Sequence, residues 1–228
     1  MIKAVVFDFD GLILDTETPE FASFQQIYRE HGAELSLAVW GDCIGAGPTG
    51  FNPYEHLERC IGRPIEREAV RARRRALFEE TMRTADLRPG VQAYLDEARD
   101  LGLSIGLASS SKESWVRGYL DRYGLTDRFH CIRTADHVSR VKPDPELYLT
   151  VLQALHVRPE EAVAFEDSPN GALAAGRAGL RCVIVPNSIT ALLAFGQHDL
   201  RIESMSEMKL GDVLRRLQNE EVLKLGDV

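Results

Sequence analysis

Lys3-Ala4-Val5-Val6-Phe7-Asp8-Phe9-Asp10-Gly11 is the stretch on which the reading of this chain turns. Its apolar run reads as a buried strand over 3–8, ending in two carboxylates two residues apart with a glycine behind them. Side chains at i and i+2 of a strand share a face. Two carboxylates on one face of a strand end repel each other and lose solvation together, which calls for a cation between or beside them. Mg2+, which takes oxygen ligands, is the natural candidate. Aspartates at strand ends also serve turns and helix caps, so this stretch takes its meaning from what lies downstream.

Residues 17–31 carry Phe21, Phe24, Ile27 and Tyr28 at helical spacing and stop at Gly32. Residues 36–61 read as short helices broken by the loop signal Gly-Ala-Gly-Pro-Thr-Gly at 45–50, and 66–82 as a charged helix. No strand pattern falls between 15 and 88. From Pro89-Gly90 the texture changes. A helix runs to about 101, followed by a strand over 103–108 and a helix over 112–123. A short strand at 129–133, a helix at 145–155, a strand at 162–165, a helix at 168–178 and a strand at 181–185 complete the alternation. Alternating strands and helices predict a parallel sheet with crossover helices. The expected fold is α/β: a Rossmann-like core of residues 1–15 and 88–228, interrupted by an all-helical insert at 16–87. Lys-Leu-Gly-Asp-Val occurs at 209–213 and again at 224–228, a local similarity near a terminal helix and no solenoid.

Open α/β sheets bind ligands beyond the carboxyl ends of their strands. Here those ends offer Asp8 and Asp10, then Ser109-Ser110-Ser111, then Lys142 in Val-Lys-Pro-Asp-Pro at 141–145, then Glu166-Asp167-Ser168. Hydroxyls and free N–H groups at a helix start bind anionic oxygens, and a lysine adds a point charge, so the set suits a phosphoryl group. Glu166 and Asp167 complete a metal site with Asp8, whose cation screens an attacking carboxylate from an anionic phosphate. Taken singly, each element has a plainer reading. The serines fit a helix cap, Lys142 a surface lysine, the two prolines a helix start, and Glu166-Asp167-Ser168 an acidic cap on a helix dipole. Four such elements in order, each at its own strand end or crossover loop, favour the site.

Composition narrows the class. The chain has 228 residues, 44% hydrophobic content and a net charge of −8, enough for a sizeable core and without the basic footprint of a nucleic-acid binder. Cys43, Cys60, Cys131 and Cys182 form no Cys-x-x-Cys pair and no zinc-type cluster, and scattered thiols of this kind predict a reducing compartment. With no signal-type N-terminus and no membrane-length apolar stretch, the expected location is the cytoplasm.

These residues resemble the haloacid dehalogenase superfamily. Asp8-Phe9-Asp10-Gly11-Leu12-Ile13-Leu14-Asp15-Thr16-Glu17 is similar to its first motif, Ser109 to the second, Lys142 before Pro143 to the third, and Glu166-Asp167-Ser168 to the fourth. The resemblance covers nearly the whole chain, with a helical cap directly after the first motif as in the β-phosphoglucomutase-like phosphatases. It implies required Mg2+ and an aspartyl-phosphate formed on Asp8, with Asp10 as general acid and then base. It also implies Ser109, Ser110 and Lys142 on the phosphoryl oxygens. The metal would be held by Asp8, the backbone carbonyl of Asp10, Asp167 and Glu166, the last directly or through a water. The expected substrate is a small phosphorylated metabolite, with no nucleic acid or membrane involved; the sequence leaves oligomeric state open.

Two departures bear on the reaction. Relatives of the mutase type often carry a histidine where this chain has Glu20, and no lysine or arginine lies between Trp40 and Leu57 to grip a second phosphate. A phosphatase is therefore expected, with a sugar phosphomutase and a non-catalytic phosphate-binding module as the alternatives. Glu20 and His56 are the candidate substrate contacts of the cap. Arg71, Arg73, Arg74 and Arg75 fit a solvated face, Arg67 and Arg71 are spaced to reach a ligand, and Trp40, Phe51 and Tyr54 fit either a pocket lining or internal packing.

Overall fold

The computed structural model describes residues 1–45 and 51–226. Of the expected loop at 45–50, residues 46–50 lie outside the described residues. One six-stranded parallel sheet runs through the fold in the order β3-β2-β1-β4-β5-β6. Its strands are β1 (Ala4–Phe7), β2 (Ser104–Ala108), β3 (Cys131–Arg133), β4 (Ala162–Glu166), β5 (Arg181–Ile184) and β6 (Leu200–Arg201). The strands alternate with α5 (Val91–Asp100), α6 (Glu113–Arg122), α7 (Glu146–Leu155) and α8 (Pro169–Arg177), and α9 (Leu210–Gly226) follows β6. This is the Rossmann-like α/β architecture. β6 escaped the sequence reading because two residues carry no periodicity of their own.

Period-two alternation builds both faces. Val5, Phe7, Ile105, Leu107, Val163 and Phe165 point into one apolar cluster with residues of α5, α6 and α9. Ala4, Val6, Ala164, Cys182 and Ile184 point the other way, against α7 and α8. Phe7 and Phe165 stand in register on β1 and β4 and stack at 5.1 Å. At Gly106 a Cβ would come within 2.5 Å of Val151, so the glycine lets α7 lie close on the sheet. Among the described residues no helix is long and apolar enough to cross a membrane.

Between β1 and α5 come α1 (Glu17–Glu30), α2 (Leu37–Gly45), α3 (Pro53–Ile61) and α4 (Arg67–Met82). They share an apolar cluster of Phe21, Phe24, Ile27, Tyr28, Trp40 and Leu57, which also takes in Ile189 from the loop after β5. The chain leaves and re-enters the sheet at one place. Leu14 pairs with Leu87, and the Arg88 N–H donates to the Ile13 carbonyl at 2.9 Å.

Sheet order fixes where ligands meet the fold. Strand order reverses between β1 and β4, and the crevice beyond the carboxyl ends at such a reversal is where open α/β sheets bind. β1 delivers Asp8 there and β4 delivers Glu166 and Asp167.

Candidate active site

Asp8 follows β1 directly, and its backbone N–H donates to the Phe165 carbonyl at 3.0 Å, which ties the two strand ends together. Lys142 comes from the loop before α7. Its ammonium donates to Asp8 Oδ1 at 2.5 Å and to Glu166 Oε1 at 2.6 Å. The Tyr148 hydroxyl on α7 also donates to Glu166 Oε1. Burial alone would depress Lys142, but the Asp8 and Glu166 carboxylates hold it above its ordinary pKa.

Asp8, Glu166 and Asp167 each offer an oxygen, all within 4.8 Å of one another. Glu166 Oε2 is buried without a hydrogen-bond partner among the described residues. Burial drives the Asp8 carboxyl up to about 7 against the pull of Lys142, with Glu166 adding to the rise. Burial and the neighbouring Asp8 raise Asp167 well above the usual carboxylate range. Two of these three buried carboxylates share one lysine, the third accepts from Asn187, and among the described residues one Glu166 oxygen has no partner. A hard divalent cation such as Mg2+ fits this oxygen set and its excess negative charge.

The surroundings keep the set in place. Asn187 Nδ2 donates to Asp167 Oδ2 at 2.8 Å and to the Gly11 carbonyl at 3.3 Å. Arg88 gives Nη1 to the carbonyls of Gly11 at 2.7 Å and Val185 at 2.9 Å, and Nη2 to that of Pro186 at 2.7 Å. Gly11 has φ +80°, and a Cβ there would stand 2.1 Å from Asp167 Oδ2. Only glycine combines that conformation with so close an approach. A Cβ at Gly171 would likewise fall 1.8 Å from Glu166 Oε2.

The Asp10 side chain lies outside the metal-type trio. Its Oδ2 accepts from Ser111 Oγ at 2.6 Å and Ser109 Oγ at 3.3 Å, and its Oδ1 accepts from Trp115 Nε1 at 2.8 Å. Burial raises its pKa while these donors pull it down. Of the serines expected at the phosphoryl group, Ser109 is buried and Ser110 exposed, and it is Ser109 and Ser111 whose hydroxyls meet at Asp10. The chain bends here beyond the end of β2, with the Ser111 N–H donating to Ser109 Oγ at 3.0 Å, and the bend brings both hydroxyls to Asp10.

The helical contacts divide. Glu20 pairs with Arg74, whose guanidinium lies 5.3 Å from the Phe24 ring and 5.9 Å from that of Phe78. Burial raises the Glu20 pKa, opposed by Arg74. Glu17, unassigned from sequence, stands in the first turn of α1. Burial drives its carboxyl up to about 8, helped by Asp10, Glu20, Asp15 and Asp8. His56 is occupied elsewhere: its Nδ1 meets the Tyr28 hydroxyl at 3.0 Å, and its ring lies against Phe51 and near Cys60. Trp40 packs on Phe21 and Phe24, and Tyr54 on Phe24, which is internal packing. Arg67 pairs with Glu58 and Arg71 with Glu68.

The profile of the haloacid dehalogenase-like hydrolase family matches residues 5–185, a span that holds every carboxylate of the trio. The chain belongs to this family. Among its similar proteins in the haloacid dehalogenase-like group is one of Bacillus subtilis (strain 168) named "Putative phosphatase YhcW", 53% identical over 96% of this chain and 100% of its own length. Hexitol phosphatase B of Escherichia coli (strain K12) is 30% identical over 93% of this chain and 97% of its own. The crystal structure of CbbY from Rhodobacter sphaeroides in complex with phosphate superimposes with a TM-score of 0.68 at 28% identity, covering 91% of this chain and 96% of that one.

Proposed function

We propose that this chain is a Mg2+-dependent phosphatase that hydrolyses a small, sugar-phosphate-like phosphomonoester through an aspartyl-phosphate on Asp8. The observation that carries the reading is the meeting of Asp8, Lys142, Glu166 and Asp167 at the sheet reversal, with Asp10 two residues beyond Asp8. The names of the relatives, two of them phosphatases, support the reaction class.

In this reading an Asp8 oxygen forms a bond to phosphorus as the bond to the leaving oxygen breaks, and Asp10 passes its proton to that oxygen. Asp10, now a base, takes a proton from water. The water oxygen bonds to phosphorus, the bond to Asp8 breaks, and inorganic phosphate leaves. Lys142 and Ser109 offset charge on the phosphoryl oxygens. Asp8, Glu166 and Asp167 would hold the Mg2+, which supplies charge neutralisation between nucleophile and phosphate. Residues 16–87 act as a cap over a catalytic core of 1–15 and 88–228, excluding water while the phosphoryl group is transferred. On the helical side Glu17 stands near Asp10 and Asp8, and Glu20 holds Arg74 in an ion pair. Arg74, taken up by Glu20, is not available to grip a second phosphate, which disfavours a mutase. Cys60, Cys131 and Cys182 are free thiols, which suits the reducing cytoplasm.

A panel of phosphomonoesters including 4-nitrophenyl phosphate, assayed with Mg2+ and with EDTA, tests the proposal. Hydrolysis should require Mg2+ and fall by at least about 10³-fold in Asp8→Asn. Undiminished turnover in that variant removes the reading.

A further inference from the structure

We propose that Trp115 is the positioning residue of Asp10 and that its hold depends on the seat of α4. The inference rests on the reading above, in which Asp10 delivers a proton to the leaving oxygen.

The Asp10 carboxylate could rotate about its own side-chain torsions, yet both oxygens are engaged. Ser111 fixes Oδ2, and the indole N–H of Trp115 fixes Oδ1 at 2.8 Å. An indole N–H only donates, so this contact is unambiguous in direction. The indole is itself braced. The Tyr119 ring meets it edge-on at 4.7 Å, and the Phe78 ring lies 5.8 Å away at 31°. Tyr119 belongs to the same helix α6, but Phe78 belongs to α4 of the inserted helices. One helical turn earlier on α4, Arg74 carries the ion pair to Glu20. The place of α4 is thus read at Asp10 through one aromatic contact and one hydrogen bond. If α4 shifts, Phe78 leaves the indole and Asp10 loses its most directional partner. Proton delivery is thereby tied to the helices being seated over the site.

The test uses leaving groups that differ in their need for a proton. Nitrophenolate departs readily without one, whereas phenolate, with a pKa near 10 like that of tyrosine, needs the acid. Trp115→Phe keeps an aromatic ring against Phe78 and Tyr119 and removes the donor together with one ring of the indole, a loss of packing that would weaken turnover of both substrates alike. Its kcat/KM, which reports events up to phosphoryl transfer, should fall about 10- to 100-fold for phenyl phosphate and under about 3-fold for 4-nitrophenyl phosphate, with KM little changed. Phe78→Ala should move the same ratio in the same direction. Equal losses on both substrates, or none on either, overturn the proposal.

A second measurement does not depend on turnover or on the fold of these variants. The chain has two tryptophans, Trp40 and Trp115, so a 15N-labelled sample shows two indole N–H signals. Asp10→Ala should move the Trp115 signal and leave that of Trp40 in place. An unmoved Trp115 signal also overturns the proposal. If the wild type hydrolyses neither phosphate with Mg2+, the phosphatase reading fails on its own, and the indole signal still decides the contact.

Discussion

The ammonium of Lys142 stands 2.5 Å from the Asp8 carboxylate and 2.6 Å from that of Glu166, buried with both. One cation therefore compensates two strand ends. Lys142→Met keeps the apolar stem and removes the charge. Turnover should fall about 10²- to 10³-fold, since the fixed positive group that the proposed mechanism sets against the phosphoryl oxygens is lost. In EDTA the variant should also be less stable by about 3 kcal/mol in urea unfolding, because two buried carboxylates lose their partner.

Gly171 lies inside α8, where alanine ordinarily favours a helix by about 1 kcal/mol. Here the new Cβ would stand 1.8 Å from Glu166 Oε2, so the carboxylate has to move. Gly171→Ala should therefore melt lower than wild type, against the helix preference, by an equivalent of about 1–3 kcal/mol. Its apparent Mg2+ constant, from a titration of activity, should weaken at least about 10-fold.

Asn187 reaches Asp167 from the loop after β5 and donates at 2.8 Å. A group that orients a metal ligand without touching the metal still sets its affinity. Asn187→Ala should weaken Mg2+ binding about 10- to 100-fold, measured by calorimetric titration without substrate. Unchanged affinity would place the orienting force on Asp167 elsewhere.

Glu161 sits at the opposite end of β4 and carries a pH signature of its own. Lys3 at 2.6 Å, with the Arg158 N–H at 3.1 Å and its guanidinium at 3.2 Å, lowers its pKa from 4.5 to about 2. The folded state favours the ionised form, so this contribution is present above the unfolded pKa and disappears as pH falls through the folded one. Glu161→Gln should melt below wild type at neutral pH, and the gap should close between pH 4.5 and about 2. A gap that stays constant across that window would show that these contacts do not set the acid response.

Much of the site could be read from sequence because its residues are anchored to strand ends. A buried strand announces itself by an apolar run, and the polar residue that ends it is then placed without further information, as with Asp8 and Asp167. The serines show the limit of a reading by composition. Ser109, Ser110 and Ser111 are alike as residue types, and only the bend that follows β2, closed by the Ser111 N–H on Ser109 Oγ, separates the pair at Asp10 from the exposed one. Trp115, Arg88 and Asn187 had no local signal. Each is an ordinary helix, linker or loop residue whose meaning comes from a partner 105, 77 or 20 positions away. His56 shows a related limit. A histidine after a glycine-rich loop looks available, but on α3 it is taken up by the Tyr28 hydroxyl.

Arg88 has a mechanical consequence. Its guanidinium fastens the point where the chain re-enters the sheet to the carbonyls of Gly11, Val185 and Pro186. The helices of 17–82 are therefore arms hung from a riveted pivot, and the rivet passes through the floor that carries Asp8 and Asp167. In the proposed reading, a cap that opens to admit a substrate swings the roof while the ground beneath it keeps its shape.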